Sequence, residues 1–505
     1  MTTDMGSSAR RENGTWDAQG VPDDDRNLEA LGYVPSFKRE FSNLATLCVQ
    51  HHGASIAEIV SAFPTCGGLY TASAQLVPKK HRPIVGWTVG WLNILGQVAG
   101  LASTEFGLSN MIWAAVVVAK DGDYAVTDGK VVGLFAGLLI FHGILNCLAT
   151  RYLARFTTSF VFVNLGATLV IVIVLLATTP RHEMHSGSYV FGSEGVINQT
   201  GGWNNGLAFL FGLLSVQWTM TDYDATAHIS EEVKRAAYAA PAAIFVAVIG
   251  TGLGGWLLNI VLVLCSGPFE NLPGPSNSAF LEIMALRMGK PAALFLWTFV
   301  CLTAFFVSQT ALQACSRTVY AFSRDHGLPD GGYFGHVSQY TLTPLRAIWF
   351  TTIFSILPGL LQFASPVAAN AIFSLTAIAL DLSYIIPIFF RRVFQNHPEV
   401  QFTPGPFYMG DGLLGWAVNV NCILWTLFVS VIFSLPTVLP VTKDTMNYAS
   451  VITGIVIILA GIWYIVDGRR HYHGPASNVK HDSADPLDET GTDEVMERDS
   501  KKSLS

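Results

Sequence analysis

The residues best placed to do chemistry stand together in Ser215-Val-Gln-Trp-Thr-Met-Thr-Asp-Tyr-Asp-Ala-Thr-Ala-His-Ile-Ser-Glu-Glu-Val233. The apolar lead-in Gly206 to Leu214 is too short to cross a bilayer alone, since a spanning helix needs about 20 residues. Gln217, Thr219, Thr221, Asp222 and Asp224 therefore fall inside or at the edge of the membrane. Polar groups at that depth face a bundle interior or a wet cavity and mark a substrate or ion path. The plainer reading ends the span near Met220 and makes Asp222 or Asp224 a helix cap.

Two further acids lie in apolar runs. Glu105 sits deep in the stretch 83–119, with Gln97 two turns earlier on the same helix face. Asp381 lies within Ala377-Ile-Ala-Leu-Asp-Leu-Ser-Tyr384. Each either carries a proton or substrate charge, or is a carboxyl hydrogen-bonded within the bundle. Pro64-Thr-Cys-Gly-Gly68 places Gly67 and Gly68 where the backbone turns sharply, either as part of a gate or as an ordinary tight turn. Ser308, Thr310, Gln313 and Ser316 read as polar glue between helices, and Arg317 as a side chain that snorkels to the membrane surface. No Ser or Cys stands beside a plausible base, and the histidines, His51 and His52 included, lack ligand spacing. Neither an enzyme nor a metal or other cofactor is expected.

The elements that must position these residues are membrane spans. Of 505 residues, 51% are hydrophobic and only 13% charged, against about 25% charged in soluble domains. The fold class is all-α and polytopic. Apolar runs predict about ten complete crossings, near 83–119, 131–149, 156–179, 204–226, 241–266, 291–318, 345–363, 368–390, 413–435 and 448–467. The earlier run Gly53 to Phe63 stops at Pro64 and does not cross by itself.

Lys and Arg concentrate in the N-terminal segment, alternate loops and the C-terminal tail, which puts both termini in the cytoplasm by the positive-inside rule. Asn198-Gln-Thr200, a glycosylation sequon, then falls outside, whereas the sequon at Asn13 falls inside and is discounted. Residues 1–40 and 468–505 read as disordered tails flanking a transmembrane domain at 41–467, and they offer sites for the ubiquitination machinery. The net charge of -7 comes partly from these tails, and no basic stripe suggests nucleic acid. The seven cysteines, scattered without a CxxC pair, read as packing residues.

Four runs in order, Ser55–Tyr70, Gly86–Gln97, Asp222–Lys234 and Ser316–Pro329, resemble the amino acid/choline branch of the amino acid–polyamine–organocation superfamily, and fungal 4-aminobutyrate permeases most closely. The resemblance implies a LeuT-like inverted-repeat fold, with two five-helix repeats whose first helices break at mid-membrane. It implies a secondary transporter of the plasma membrane, importing an amino acid or related small amine such as 4-aminobutyrate by proton symport. Choline and polyamines are the alternative substrates. Carried over, Trp218 falls at an aromatic gating position and Thr219 to Asp222 at the unwound turn, with Thr221 and Asp222 in the substrate site. Glu231 and Glu232 fall at the cytoplasmic end, and Asp222 stands where many relatives have glycine. Glu105, Asp224 and Asp381 are the candidates for proton coupling.

The family pattern is interrupted once. Only Leu47 to Ala54 separates a segment resembling the start of the first helix from one resembling the end of the second. Most of the first helical hairpin is missing, and with it the first repeat's broken helix. The junction is either a gene-model artefact or a true shortening, and the second case leaves open a non-transporting sensor or an inactive paralogue.

Overall fold

The computed structural model describes residues 53–148, 150–192, 197–363, 366–400, 402–443 and 445–475; side chains are described throughout except in 150–159 and 366–370. Both predicted tails, except 468–475, and the junction as far as His52 lie outside these residues. Among the described residues the chain is all-helical, as expected, with no strand.

Two short helices come first, α1 (Ala54–Ala62) and α2 (Gly68–Gln75), then the long spans α3 (Arg82–Ala119), α4 (Asp128–Asn146) and α5 (Thr150–Thr178). α6 (Asn205–Thr219) and the single turn α7 (Ala225–His228) precede α8 (Ala236–Cys265), α9 (Ala279–Met288) and α10 (Lys290–Arg324). α11 (Leu345–Gly359), α12 (Pro366–Val393), α13 (Leu413–Ile432) and α14 (Ala449–Trp463) complete the bundle. Nine helices among the described residues are long and apolar enough to cross a membrane.

Ten crossings were expected, and the difference is physical. The run 204–226 does not form one helix. α6 stops after 15 residues, about 23 Å at 1.5 Å per residue, short of the ~30 Å hydrocarbon core. The polar turn that follows breaks it before α7.

α3 organises the rest. Its 38 residues extend about 57 Å, and α2, α10 and α12 all pack along it. Glycines on α3 set how closely these neighbours approach. A Cβ on Gly96 would lie 2.6 Å from Leu380 Cγ and 2.8 Å from the Leu380 backbone nitrogen of α12. On the outer face, Phe162, Leu165, Leu169 and Ile173 of α5 and Ile249, Leu253 and Trp256 of α8 are exposed, the pattern expected of a lipid-facing surface.

Because the obstruction at Gly96 includes the Leu380 backbone nitrogen as well as its side chain, Gly96→Val should force α3 and α12 apart and destabilise the fold by about 1–3 kcal/mol. Gly107, with nothing within 4 Å of a Cβ, provides the control. Thermal unfolding in detergent should show a lowered midpoint for Gly96→Val and little change for Gly107→Ala.

Candidate functional site

After Thr219 the chain leaves the helix through Met220 and Thr221, and Asp222 adopts a left-handed backbone at φ 65°. Such a conformation disfavours most side chains, but Asp and Asn tolerate it because their short polar groups bond locally. Within a membrane the freed backbone groups need partners from neighbouring helices. α12 supplies one, since the Asp222 amide donates to the Tyr384 hydroxyl at 3.2 Å. The capping alternative fails for Asp224, whose side chain makes no cap hydrogen bond to α7.

The carboxylate of Asp224 is instead the hub of the break. Its Oδ1 accepts from the Tyr384 hydroxyl at 2.7 Å and its Oδ2 from Asn93 Nδ2 of α3 at 2.7 Å. His228 Nε2 lies 3.0 Å from the same Oδ2. Asn93 Nδ2 also reaches Ser383 Oγ at 3.2 Å, and Asn93 Oδ1 accepts from Gln97 Nε2 at 3.0 Å. Thr318 of α10 then donates to Gln97 Oε1 at 2.8 Å. The chain of bonds runs from the broken helix through α3 into α10 and α12.

Asp381 anchors the other side, accepting from Gln217 Nε2 at 2.9 Å and from Thr221 Oγ1 at 3.4 Å. Trp218 donates from Nε1 to Ser103 Oγ at 3.0 Å and stands edge-on to Phe373, with ring centres 5.1 Å apart. The fold therefore gathers Trp218, Thr221, Asp222, Asp224 and Asp381 around one break. Thr219 is not among them, being exposed with its hydroxyl donated to Val216 O at 2.8 Å. Asp222 differs from the other acids here, because its Oδ1 is buried with no hydrogen-bond partner. Buried polar atoms are ordinarily hydrogen-bonded, so this open oxygen can accept a hydrogen bond from a further donor.

Glu105 belongs to a separate cluster. It pairs with His142 of α4, both fully buried, and does not share the network that holds Gln97. Residues eight apart on α3 share a face in sequence but meet different neighbours.

The Pro64–Gly68 turn packs directly under the break. Gly68 has a left-handed backbone at φ 52°, and a Cβ there would lie 2.7 Å from His228 Cε1, so the ring fits only against glycine. The Cys66 amide donates to Glu231 Oε1 at 3.0 Å. Gly67, Gly68 and Glu231 thus meet as one structural unit.

Glu232 points into α10, where it accepts from Arg317 Nε at 2.7 Å and from Gln313 Nε2 at 3.1 Å. Arg317 does not snorkel. It is fully buried, because the acid that Ile229–Val233 inserts into the bundle neutralises it in place. The expected role of Gln313 as interhelical glue holds, with Glu232 as its partner.

Sequence reasoning singled out neither Asn93, His142, His228 nor Tyr384. His228 left a readable trace, four residues after Asp224 on one helical face. Asn93 and Tyr384 left none, being 131 and 160 residues from Asp224. Asn198 is exposed, with Oδ1 accepting from Thr200 Oγ1 at 2.6 Å, while Asn13 lies outside the described residues.

Arg317→Met should leave Glu232 charged and unpaired in the bundle, at a cost of about 3–5 kcal/mol. The double variant Glu232→Met/Arg317→Met should recover much of that loss, since no buried charge remains. Thermal unfolding of the purified variants checks both, and an Arg317→Met midpoint equal to wild type would refute the ion pair as a structural tie.

An uncharacterized amino-acid permease of Schizosaccharomyces pombe is 39% identical over 511 residues, covering 92% of each chain. The GABA-specific permease of Saccharomyces cerevisiae is 33% identical, covering 85% of this chain and 75% of its own. Among solved structures, a manganese transporter of Eremococcus coleocola aligns over 88% of this chain and 94% of its own, with 14% identity and a TM-score of 0.46. Residues 43–458 match the model of the amino acid permease family, and with nine apolar spans and relatives that align along most of its length, this chain belongs to that family.

Proposed function

We propose that the chain is a secondary active transporter that imports an amino acid or a related small amine such as 4-aminobutyrate, by proton symport across the plasma membrane. The observation that carries this reading is the orphaned Asp222 carboxylate oxygen at the helix break. An amine head group is the natural partner for such an oxygen, and Trp218, Thr221 and, at the rim, Thr219 would line the rest of the substrate site. The GABA specificity for which the yeast relative is named supports a zwitterion with separated charges. Glu105, Asp224 and Asp381 are the buried carboxylates available for proton coupling. Gly67, Gly68, Glu231 and Glu232 would form the cytoplasmic gate, with both termini on that side.

A second reading, an amine sensor or an inactive paralogue, is favoured by one set of observations. α1 has only nine residues, and α6 buries only Phe211 and Gln217 of its fifteen. The 511-position alignment to the S. pombe relative takes in 92% of this chain, leaving about 46 positions without a counterpart here. That shortfall fits the missing first hairpin inferred at Leu47 to Ala54.

Uptake of labelled amino acids, 4-aminobutyrate, choline and polyamines by transporter-null yeast expressing this chain separates these readings. Saturable accumulation that rises at acid external pH is expected for an amino acid or 4-aminobutyrate. Asp222→Asn should lower uptake about 10- to 100-fold, the loss of a hydrogen bond to a charged group worth roughly 1.5–3 kcal/mol. Normal surface delivery with no uptake of any compound would leave the sensor or inactive reading. Glycosidase treatment should also shift the gel mobility of wild type and not of Asn198→Gln, as an extracellular 180–203 loop requires.

A further inference from the structure

His228 sits between two acceptors. Its Nδ1 lies 3.0 Å from the carbonyl oxygen of Cys66, and its Nε2 lies 3.0 Å from Asp224 Oδ2. A backbone carbonyl only accepts hydrogen bonds, so Nδ1 carries a hydrogen. A neutral imidazole has one N–H, which would leave the Nε2 lone pair facing a carboxylate oxygen that already accepts from Asn93. Two lone pairs at that separation repel. The geometry is satisfied only when the pair holds one additional proton, as imidazolium against carboxylate or as imidazole against carboxylic acid.

The seat is built for this ring. His228 and Asp224 are both fully buried, and the left-handed Gly68 admits the imidazole where any Cβ would collide with it. The ring is also the direct link between two functional units. On one side Asp224 binds Tyr384, whose hydroxyl also receives the amide of Asp222. On the other, Cys66 opens the Gly67–Gly68 turn and is tied to Glu231.

We propose that the Asp224–His228 pair is a proton-binding site whose occupancy fastens the broken helix to the Pro64–Gly68 turn, and that the proton it binds is the coupling proton. With the proton in place, a charge-assisted bond holds α7 to Asp224 while Nδ1–H holds the Cys66 carbonyl. Loss of the proton from Nε2 leaves a bare nitrogen facing the Asp224 carboxylate. The ring must then turn or withdraw, and the bond to Cys66 goes with it. One proton is released and no other reactant takes part. The gate segment is thereby freed from the substrate site by a single deprotonation.

Other ionisable groups surround the pair. Asp222 and Tyr223 lie on the broken segment, and Asp381 and Tyr384 on α12, all coupled electrostatically to Asp224. Glu231 lies beyond the Cys66 amide, with Arg324 at 3.7 Å. α2 and α10, which also pack on α7, carry Tyr70 and the Arg317 already paired with Glu232. His228 is the one among them that touches both the site and the turn.

The transport arm of this inference rests on the permease reading; the proton-binding arm does not. Purified protein in proteoliposomes, labelled with 15N-histidine, is examined by solid-state NMR across a pH titration, with His228→Gln identifying the signal by its loss. In wild type, His228 should show hydrogens on both ring nitrogens at the acid end of the titration, or a bare Nε2 accompanied by the infrared band of a protonated Asp224 carboxyl. Either state should convert to a bare Nε2 with ionised Asp224 at alkaline pH. In Asp224→Asn the ring should stay neutral, with hydrogen on Nδ1 alone, over the same range. A wild-type His228 that is neutral beside an ionised Asp224 at every pH overturns the proposal, whether or not the protein transports.

If wild type accumulates substrate, His228→Gln should reduce the stimulation of uptake by an inward proton gradient roughly 5- to 150-fold, the range for coupled sites. Substrate counterflow, which needs no net proton movement, should fall far less. Equal gradient stimulation in His228→Gln and wild type, with the titration as expected, overturns the coupling role. Absence of all transport by wild type, with the titration as expected, counts against the permease reading and in favour of the proton site.

Discussion

A helix broken inside a membrane must find partners for its backbone and for the polar residues that broke it, because lipid offers none. That requirement, set by Thr221, Asp222 and Asp224, governs much of this bundle. Tyr384 and Asp381 of α12, Asn93 and Gln97 of α3 and Thr318 of α10 all turn inward to meet it. They reach only because α3 and α12 nearly touch at Gly96, where no side chain would fit. Glycine packing on one face of α3 and the polar network that crosses it are parts of the same solution.

Charge is confined in the same economical way. The two acids of Ile229–Val233 diverge: Glu231 takes the Cys66 amide and Glu232 takes Arg317 and Gln313. Neither remains as an uncompensated charge, which would cost several kcal/mol in the interior. The segment after the break is consequently fixed both to the short turn before α2 and to α10. Asp222 differs from Asp224 and Asp381, the other acids at the break, because its Oδ1 has no hydrogen-bond partner. A structure that satisfies Asp224, Asp381 and Glu232 so fully and leaves Asp222 open gives that residue a different standing, and the proposed amine site rests on this contrast.

Membership of the amino acid permease family accounts for the helical bundle and for the order of its motifs. It does not by itself decide what crosses the membrane, because selectivity depends on how side chains from separate helices close around the break. The short α1 and the sparsely buried α6 bear on whether that closure is complete in this chain. A helix that packs on few neighbours contributes less to a closed pocket than one held on all sides.

Much of the architecture was legible in the sequence. Apolar run length marked nine of the ten expected spans, because length and hydropathy are local properties; the tenth, 204–226, was counted as a crossing, and only the family resemblance placed an unwound turn within it. The expected importance of Thr221, Asp222, Asp224 and Asp381 rested on their place in apolar runs and that of Trp218 on the family resemblance, and the fold brings them to one place. The errors were also physical. Arg317 was read as reaching water because nothing near it in sequence carries the opposite charge, whereas Glu232 reaches it across 85 residues. Glu105 and Gln97 were grouped by helical phase, yet one meets His142 and the other Asn93 and Thr318. By itself, then, the sequence determined which stretches are long and apolar enough to span and which polar residues interrupt them. Only the tertiary structure decided which acids are paired and which is open, and where the imidazole of His228 sits, because those depend on contacts between segments that hydropathy and periodicity cannot relate.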